Sequence, residues 1–311
     1  MPLPTVDFLG IGAQKAGTTW LFRCLFRHPD MNLPMNKELQ YFSTHTVHCL
    51  PSMPVRSLWQ GLVGRGAAER GWRSLVRRDT EAILHVRPSS GTGKELIRAA
   101  AFHLPGPKND TWYRRQFAAG TGRVKGEITP AYALLDDAGV RHVTRLFPKV
   151  KVIFMLREPL SRMRSQWQMA SRNSPRIGAP PPADLSRFFS APHVTARNDY
   201  LRTIDTWGAH VPPERFFIGW YDDILADPEE VLRRVLTFLG VTPDEPRALA
   251  EARTRDHYDT GVKPVLPPEV LREMALASRP GIAALAERFG GHACGWLARC
   301  DAILAGGNPD V

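Results

Sequence analysis

Residues Asp7 to Leu21 read DFLGIGAQKAGTTWL. The apolar run of residues 6–13 stops at a glycine. Apolar residues then recur at helical spacing, at Trp20, Leu21, Cys24 and Leu25, until Pro29. That pattern predicts a buried strand, a tight turn and a helix. A helix starting near Thr18 turns its unpaired N–H groups and the positive end of its dipole toward the turn. Gly12 and Gly17 let the backbone approach an anion, Lys15 brings a charge, and Thr18 and Thr19 bring hydroxyl donors. The composition of the turn fits a phosphate.

Further strands are expected at 122–128 (GRVKGEI), 149–156 (KVKVIFML) and 214–221 (ERFFIGWY), with helices near 136–146, 159–171, 196–209 and 227–239. Strands alternating with helices imply an α/β fold: a parallel sheet covered by helices on both faces. Residues 44–110 mix helical and Gly/Pro-rich stretches and interrupt this alternation. They are expected to be an insertion on the substrate side of a single domain spanning 1–311. Residues 172–186 are expected to be a surface loop.

The turn is not a nucleoside-triphosphate loop, which needs G-x-x-x-x-G-K-[ST]. The strand at 149–156 ends in Arg157, where a magnesium-dependent enzyme would carry a carboxylate for the metal. A cation there calls for a second phosphate-like group and no metal. In REPLSRMRSQW (157–167), Pro159 suits a first helical position and Ser165 follows Arg157 by eight residues. The arginine fork and the serine hydroxyl could grip one phosphate from two sides.

The net charge of +10 asks for an anionic partner, although the basic residues are dispersed along the chain. No nucleic-acid recognition motif accompanies it. Four cysteines without a CxxC pair suit a reducing compartment, and the first strand begins within six residues of Met1. No apolar run is long enough to span a bilayer. The expectation is a soluble, cytoplasmic protein with neither a membrane nor a nucleic-acid partner.

On these motifs the chain resembles the sulfotransferases that use 3′-phosphoadenosine 5′-phosphosulfate (PAPS), in the branch of bacterial and heparan-sulfate-type carbohydrate enzymes. GAQKAGTTWL is similar to their 5′-phosphosulfate loop, here Lys15, Ala16, Gly17, Thr18, Thr19 and Trp20. VIFMLREPLSRMRSQW resembles their 3′-phosphate motif, with Arg157 and Ser165 in the contacting positions. KGEITPAY (125–132) and residues 215–241 resemble further stretches. TGVKPVLPPEVLREM (260–274) resembles their C-terminal loop, where Gly261, Val262 and Lys263 could close over the 3′-phosphate.

The resemblance implies a P-loop-like α/β fold and metal-independent sulfuryl transfer to a hydroxyl or amine of a small-molecule or carbohydrate acceptor, with Lys15 stabilising the leaving oxygen. It also implies that Glu38, in NKELQYFS (36–43), is the catalytic base. A nearby Lys37 and Lys15 would keep that carboxylate ionised. Histidines serve as base in many cytosolic members, which leaves His45, His48, His85 and His103 as alternatives. One position departs from the heparan-type pattern: those enzymes carry lysine where this chain has Ile128, while Glu127 is retained. A protein-tyrosine acceptor and a P-loop kinase or nucleotidase are the alternative functions. Acceptor identity and oligomeric state have no signature in the sequence.

Overall fold

The computed structural model describes residues 3–44, 108–118, 120–172, 182–254 and 265–307. Nearly all of the expected insertion, 44–110, therefore falls outside the described residues, as do the four candidate histidines and Cys49. Five strands form one parallel sheet: β1 (Phe8–Gly12), β2 (Met31–Asn32), β3 (Val124–Ile128), β4 (Lys151–Leu156) and β5 (Phe216–Trp220). Their order across the sheet is β2-β3-β1-β4-β5.

β1 sits in the middle because it is buried along its whole length, as a strand covered on both faces must be. It aligns Leu9 with Glu127 of β3 and with Val152 of β4. From β1 the chain crosses to β2 on one side, and from β4 it crosses to β5 on the other. The loops after β1 and β4 consequently part in opposite directions and leave a crevice at the carboxyl ends of the two strands.

The first helix, Thr18–Arg27, places Trp20, Leu21, Cys24 and Leu25 in the core. Leu25 lies a turn past Leu21, as the 3.6-residue period requires. Asp137–Leu146, Pro159–Arg172 and Pro228–Leu239 match the expected helices closely. The expected helix at 196–209 begins as a 3₁₀ turn, Ala196–Asn198, before the α-helix Tyr200–Gly208.

Three local expectations are revised. β2 had no signal, since two residues show no period. Within the expected loop 172–186, Pro182–Phe189 is helical, opened by the proline at its first position. Within the expected closing loop 260–274, a 22-residue helix begins at Pro268 and runs to Phe289. It turns back at Gly290, whose φ is 61°, into the helix Gly291–Leu304. Trp296 of that last helix is fully buried, meets Trp220 edge-on at 5.1 Å and donates from Nε1 to Asp222 at 3.2 Å. This hairpin thus braces the end of β5. Among the described residues no helix is long and apolar enough to cross a membrane.

Candidate active site at the carboxyl end of the sheet

After β1 the chain turns through Ala13–Gly17, with Ala13 N–H bonded to Met155 O at 2.7 Å and Ala16 N–H to Ala13 O at 3.2 Å. Lys15 and Gly17 both take left-handed backbone, φ 69° and 82°. Glycine is required at 17 for a second reason: a Cβ there would meet Ile224 Cδ1 at 2.8 Å. Gly17 caps the first helix without a side-chain acceptor, and no acid lies in the first turn. The helices at 110, 137, 200 and 228 are instead capped by Asn109, Asp136, Asp199 and Asp227. Among these helices the first alone has no side-chain cap for its leading N–H groups.

Arg157, the first residue after β4, crosses the crevice. Its Nη1 donates to Lys15 O at 2.9 Å, and its guanidinium lies 4.1 Å from the centre of the Tyr221 ring. Its own carbonyl accepts from the Tyr200 hydroxyl at 2.7 Å, and Tyr200 is fully buried. Arg157 is therefore fixed from both ends. One of its five donors cancels a carbonyl that would repel an anion, while the stack on Tyr221 sets the plane of the fork.

Glu158, next in the chain, caps the following helix by accepting from Leu160 N–H at 3.1 Å and Ser161 N–H at 2.5 Å. Ser165 is half-buried on that helix, about 9 Å of rise beyond its first residue. No hydrogen bond engages the Ser165 hydroxyl among the described residues.

On the other flank, residues 36–40 pass over the carboxyl end of β3. Glu38 and Gln40 are also left-handed, φ 65° and 53°. Leu39 N–H between them donates to Glu127 Oε2 at 3.0 Å, and Gln40 N–H donates to Thr129 Oγ1 at 3.4 Å. Glu38 accepts from Lys37 Nζ at 2.7 Å, with 31% of its side chain exposed. Thr129 N–H bonds Gly10 O at 2.9 Å, so this segment and the β1 loop share one end of the sheet.

The structure thus brings Lys15, Ala16, Gly17, Thr18, Thr19 and Arg157 to one crevice and Glu38 to its β3 side. Thr19 is exposed and Thr18 nearly buried. The Trp20 ring is fully buried and donates to Ala252 O at 3.1 Å, so only its backbone N–H belongs to the turn. Gly261, Val262 and Lys263 lie outside the described residues.

The most deeply buried cation among the described residues escaped sequence reasoning. Arg162 is fully buried and bonded to Gln166 Oε1 at 2.8 Å, Val194 O at 3.0 Å and Asn198 Oδ1. Burial pulls its pKa down to about 10, with Arg197 and Arg157 adding repulsion. In sequence it looks like any helical surface arginine.

The fold is thus α/β, with a helix that lacks a side-chain cap at the switch point of its sheet and an arginine fork fixed across the crevice. The sequence matches the profile of the sulfotransferase family over residues 8–245, and the chain belongs to that family. The two C-terminal helices lie beyond the matched stretch.

Among solved structures it is similar to a sulfotransferase from Alicyclobacillus acidocaldarius, with 20% identity and a TM-score of 0.63, covering 95% of this chain and 99% of that one. It is more distantly similar to sulfotransferase STF9 from Mycobacterium avium, with 14% identity, a TM-score of 0.49 and 93% and 78% coverage. Mouse sulfotransferase SULT7A1 complexed with PAP is also similar, with 13% identity, a TM-score of 0.41 and 82% and 65% coverage. No curated protein matched the sequence.

Proposed function

We propose that this sulfotransferase takes its sulfuryl group from PAPS and passes it to a hydroxyl or amine of a small-molecule or carbohydrate acceptor, without a metal. The observation that carries the reading is the Arg157 fork, bonded to Lys15 O at 2.9 Å and stacked on Tyr221. It supports a site for two anionic groups, one at each side of the fork. The uncapped N–H groups of Gly17, Thr18, Thr19 and Trp20 suit the 5′-phosphosulfate. The remaining Arg157 donors and the Ser165 hydroxyl suit the 3′-phosphate. From the resemblance, Gly261, Val262 and Lys263 cover that phosphate.

The chemistry asked of the chain is alignment and charge stabilisation. Lys15 neutralises the oxygen on which charge develops as the sulfur–oxygen bond to the donor breaks. Glu38 takes the acceptor proton as sulfur bonds to the acceptor oxygen or nitrogen, leaving adenosine 3′,5′-bisphosphate. Arg157 directly after β4 supports metal independence: a P-loop kinase would need an acidic metal ligand at that strand end, and the Glu158 carboxylate beyond it accepts from Leu160 and Ser161 N–H.

The test uses ³⁵S-labelled PAPS in the presence of EDTA, with water, phenols, aryl amines and mono- and oligosaccharides as acceptors. The expected result is labelled product matched by adenosine 3′,5′-bisphosphate, at a rate that added magnesium leaves unchanged. Magnesium-dependent turnover, or consumption of ATP instead of PAPS, would overturn the reading.

A further inference from the structure

We infer that Glu127 is a positioning residue for sulfuryl transfer: a buried carboxylate that holds the backbone carrying Glu38 at the mouth of the site. The inference rests on the reading of Glu38 as the proton acceptor.

Glu127 is 1% exposed at the end of β3, and no cation is bonded to it among the described residues. Both oxygens are instead filled by neutral donors. Oε1 accepts from the Tyr113 and Tyr132 hydroxyls, each at 2.7 Å. Oε2 accepts from the Thr129 hydroxyl at 2.7 Å and from Leu39 N–H at 3.0 Å. Burial pushes its pKa above the ordinary carboxylate value, and all four donors pull it back. A charge with no counter-ion is costly in a core, and an apolar residue would fill the space without that cost. Of the four donors, three are side chains from the surrounding core. The fourth is the one backbone group of the 36–40 segment that lies between two left-handed residues.

Left-handed backbone is unfavourable at a non-glycine residue, so Glu38 and Gln40 keep it only if their neighbours impose it. The bond from Leu39 N–H to Glu127 supplies that constraint, with Leu39 itself 2% exposed in the core. Thr129 extends the hold: its hydroxyl donates to Glu127 and its oxygen receives Gln40 N–H. With Leu39 anchored inward, Glu38 stays at the surface of the crevice. Without the carboxylate, Leu39 N–H faces an apolar gap and the segment is free to relax to ordinary backbone. Glu38 would then move away from its working position.

The test combines amide hydrogen exchange with a mutant cycle, using the full chain and transfer from labelled PAPS to water or to the best acceptor of the panel. In Glu127→Ala, exchange at Leu39 and Gln40 is expected to rise by about 30-fold or more, while β1 and first-helix amides keep their protection. The transfer rate should fall about 100-fold. Affinity for adenosine 3′,5′-bisphosphate should stay within about threefold, which a general loss of structure would not spare.

In the Glu38→Gln background the same change should cost less than about twofold, because it acts through a group already disabled. Glu127→Gln should restore the rate to within about fivefold of wild type, since its amide oxygen can still accept from Leu39 while the tyrosines rotate to accept from its NH₂. If Glu127→Ala fails to fold, Thr129→Val keeps the volume and removes one hydroxyl. It should speed Gln40 exchange and slow transfer about tenfold, again silently in Glu38→Gln.

Losses that multiply in the double variant, unchanged Leu39 exchange, or a matching loss of bisphosphate affinity would each overturn the positioning role and leave Glu38 standing. A fully active Glu38→Gln, or a wild type that transfers to neither water nor any acceptor, would remove the reading beneath it.

Discussion

Replacing Arg157 by alanine removes three things the structure identifies: the bond to Lys15 O, the stack on Tyr221 and the free donors of the fork. The first two concern stability. One hydrogen bond contributes about 1 kcal/mol and one cation–π contact about 0.5–1 kcal/mol, so the variant should lose about 1.5–2 kcal/mol of folding free energy. The third concerns the donor. A fork on a phosphate makes two charge-assisted bonds, each contributing about 1.5–3 kcal/mol net of exchange with water. A net loss of about 3–4 kcal/mol weakens adenosine 3′,5′-bisphosphate by roughly 150- to 1000-fold. Adenosine 5′-phosphate, which lacks the 3′ group, should weaken by no more than about fivefold, through the loosened loop alone.

Calorimetric titration of both nucleotides into wild type and Arg157→Ala, with thermal unfolding alongside, measures all of these. The difference between the two nucleotides is the diagnostic quantity. Equal losses would mean that Arg157 acts only by shaping the Lys15 loop, and a bisphosphate loss below about tenfold would refute its contact with the 3′-phosphate.

Other outcomes follow from the same geometry. Glu38→Gln should lower the transfer rate by about 10²- to 10⁴-fold at unchanged bisphosphate affinity, as single-turnover kinetics would measure. Gly17→Ala should lose about 1–3 kcal/mol in urea unfolding, because its φ of 82° and the 2.8 Å approach to Ile224 are both unfavourable to a Cβ. Iodoacetamide at neutral pH should label the exposed Cys294 before Cys24 or Cys300, read by mass spectrometry. Burial raises the Cys24 thiol well above its ordinary pKa and pushes Cys300 up to about 11, so both stay protonated as pH rises through the neutral range.

The parts of this protein that could be read from sequence are those where a local pattern and a local function coincide. The run before Gly12 is apolar because β1 is covered on both faces, and the glycines follow because the turn needs left-handed backbone. Arg157 was legible for a similar reason, as a cation at a strand end where a carboxylate is usual.

What stayed hidden depends on distant partners. The stretch 260–274 was expected as a closing loop on its resemblance, yet Pro268 opens a helix whose stability comes from packing against Gly291–Leu304. Arg162 looks solvated until the helix is seen to bury it against Asn198 and Val194. The left-handed Glu38 has no signal in the sequence, since its neighbour Leu39 is held by Glu127, on another strand. The acceptor side was illegible for a further reason: the stretches expected to form it, 44–110 and 172–195, carry no continuous period or motif.

The central claim is a metal-independent site for a nucleotide carrying both 3′ and 5′ anionic groups. It is tested most directly by titrating adenosine 3′,5′-bisphosphate into the wild-type protein in EDTA, with ATP as the comparison. The account expects one site per chain with a Kd near 1 μM, about −8 kcal/mol, and ATP at least about 100-fold weaker. No binding without magnesium, or a preference for ATP, would contradict it.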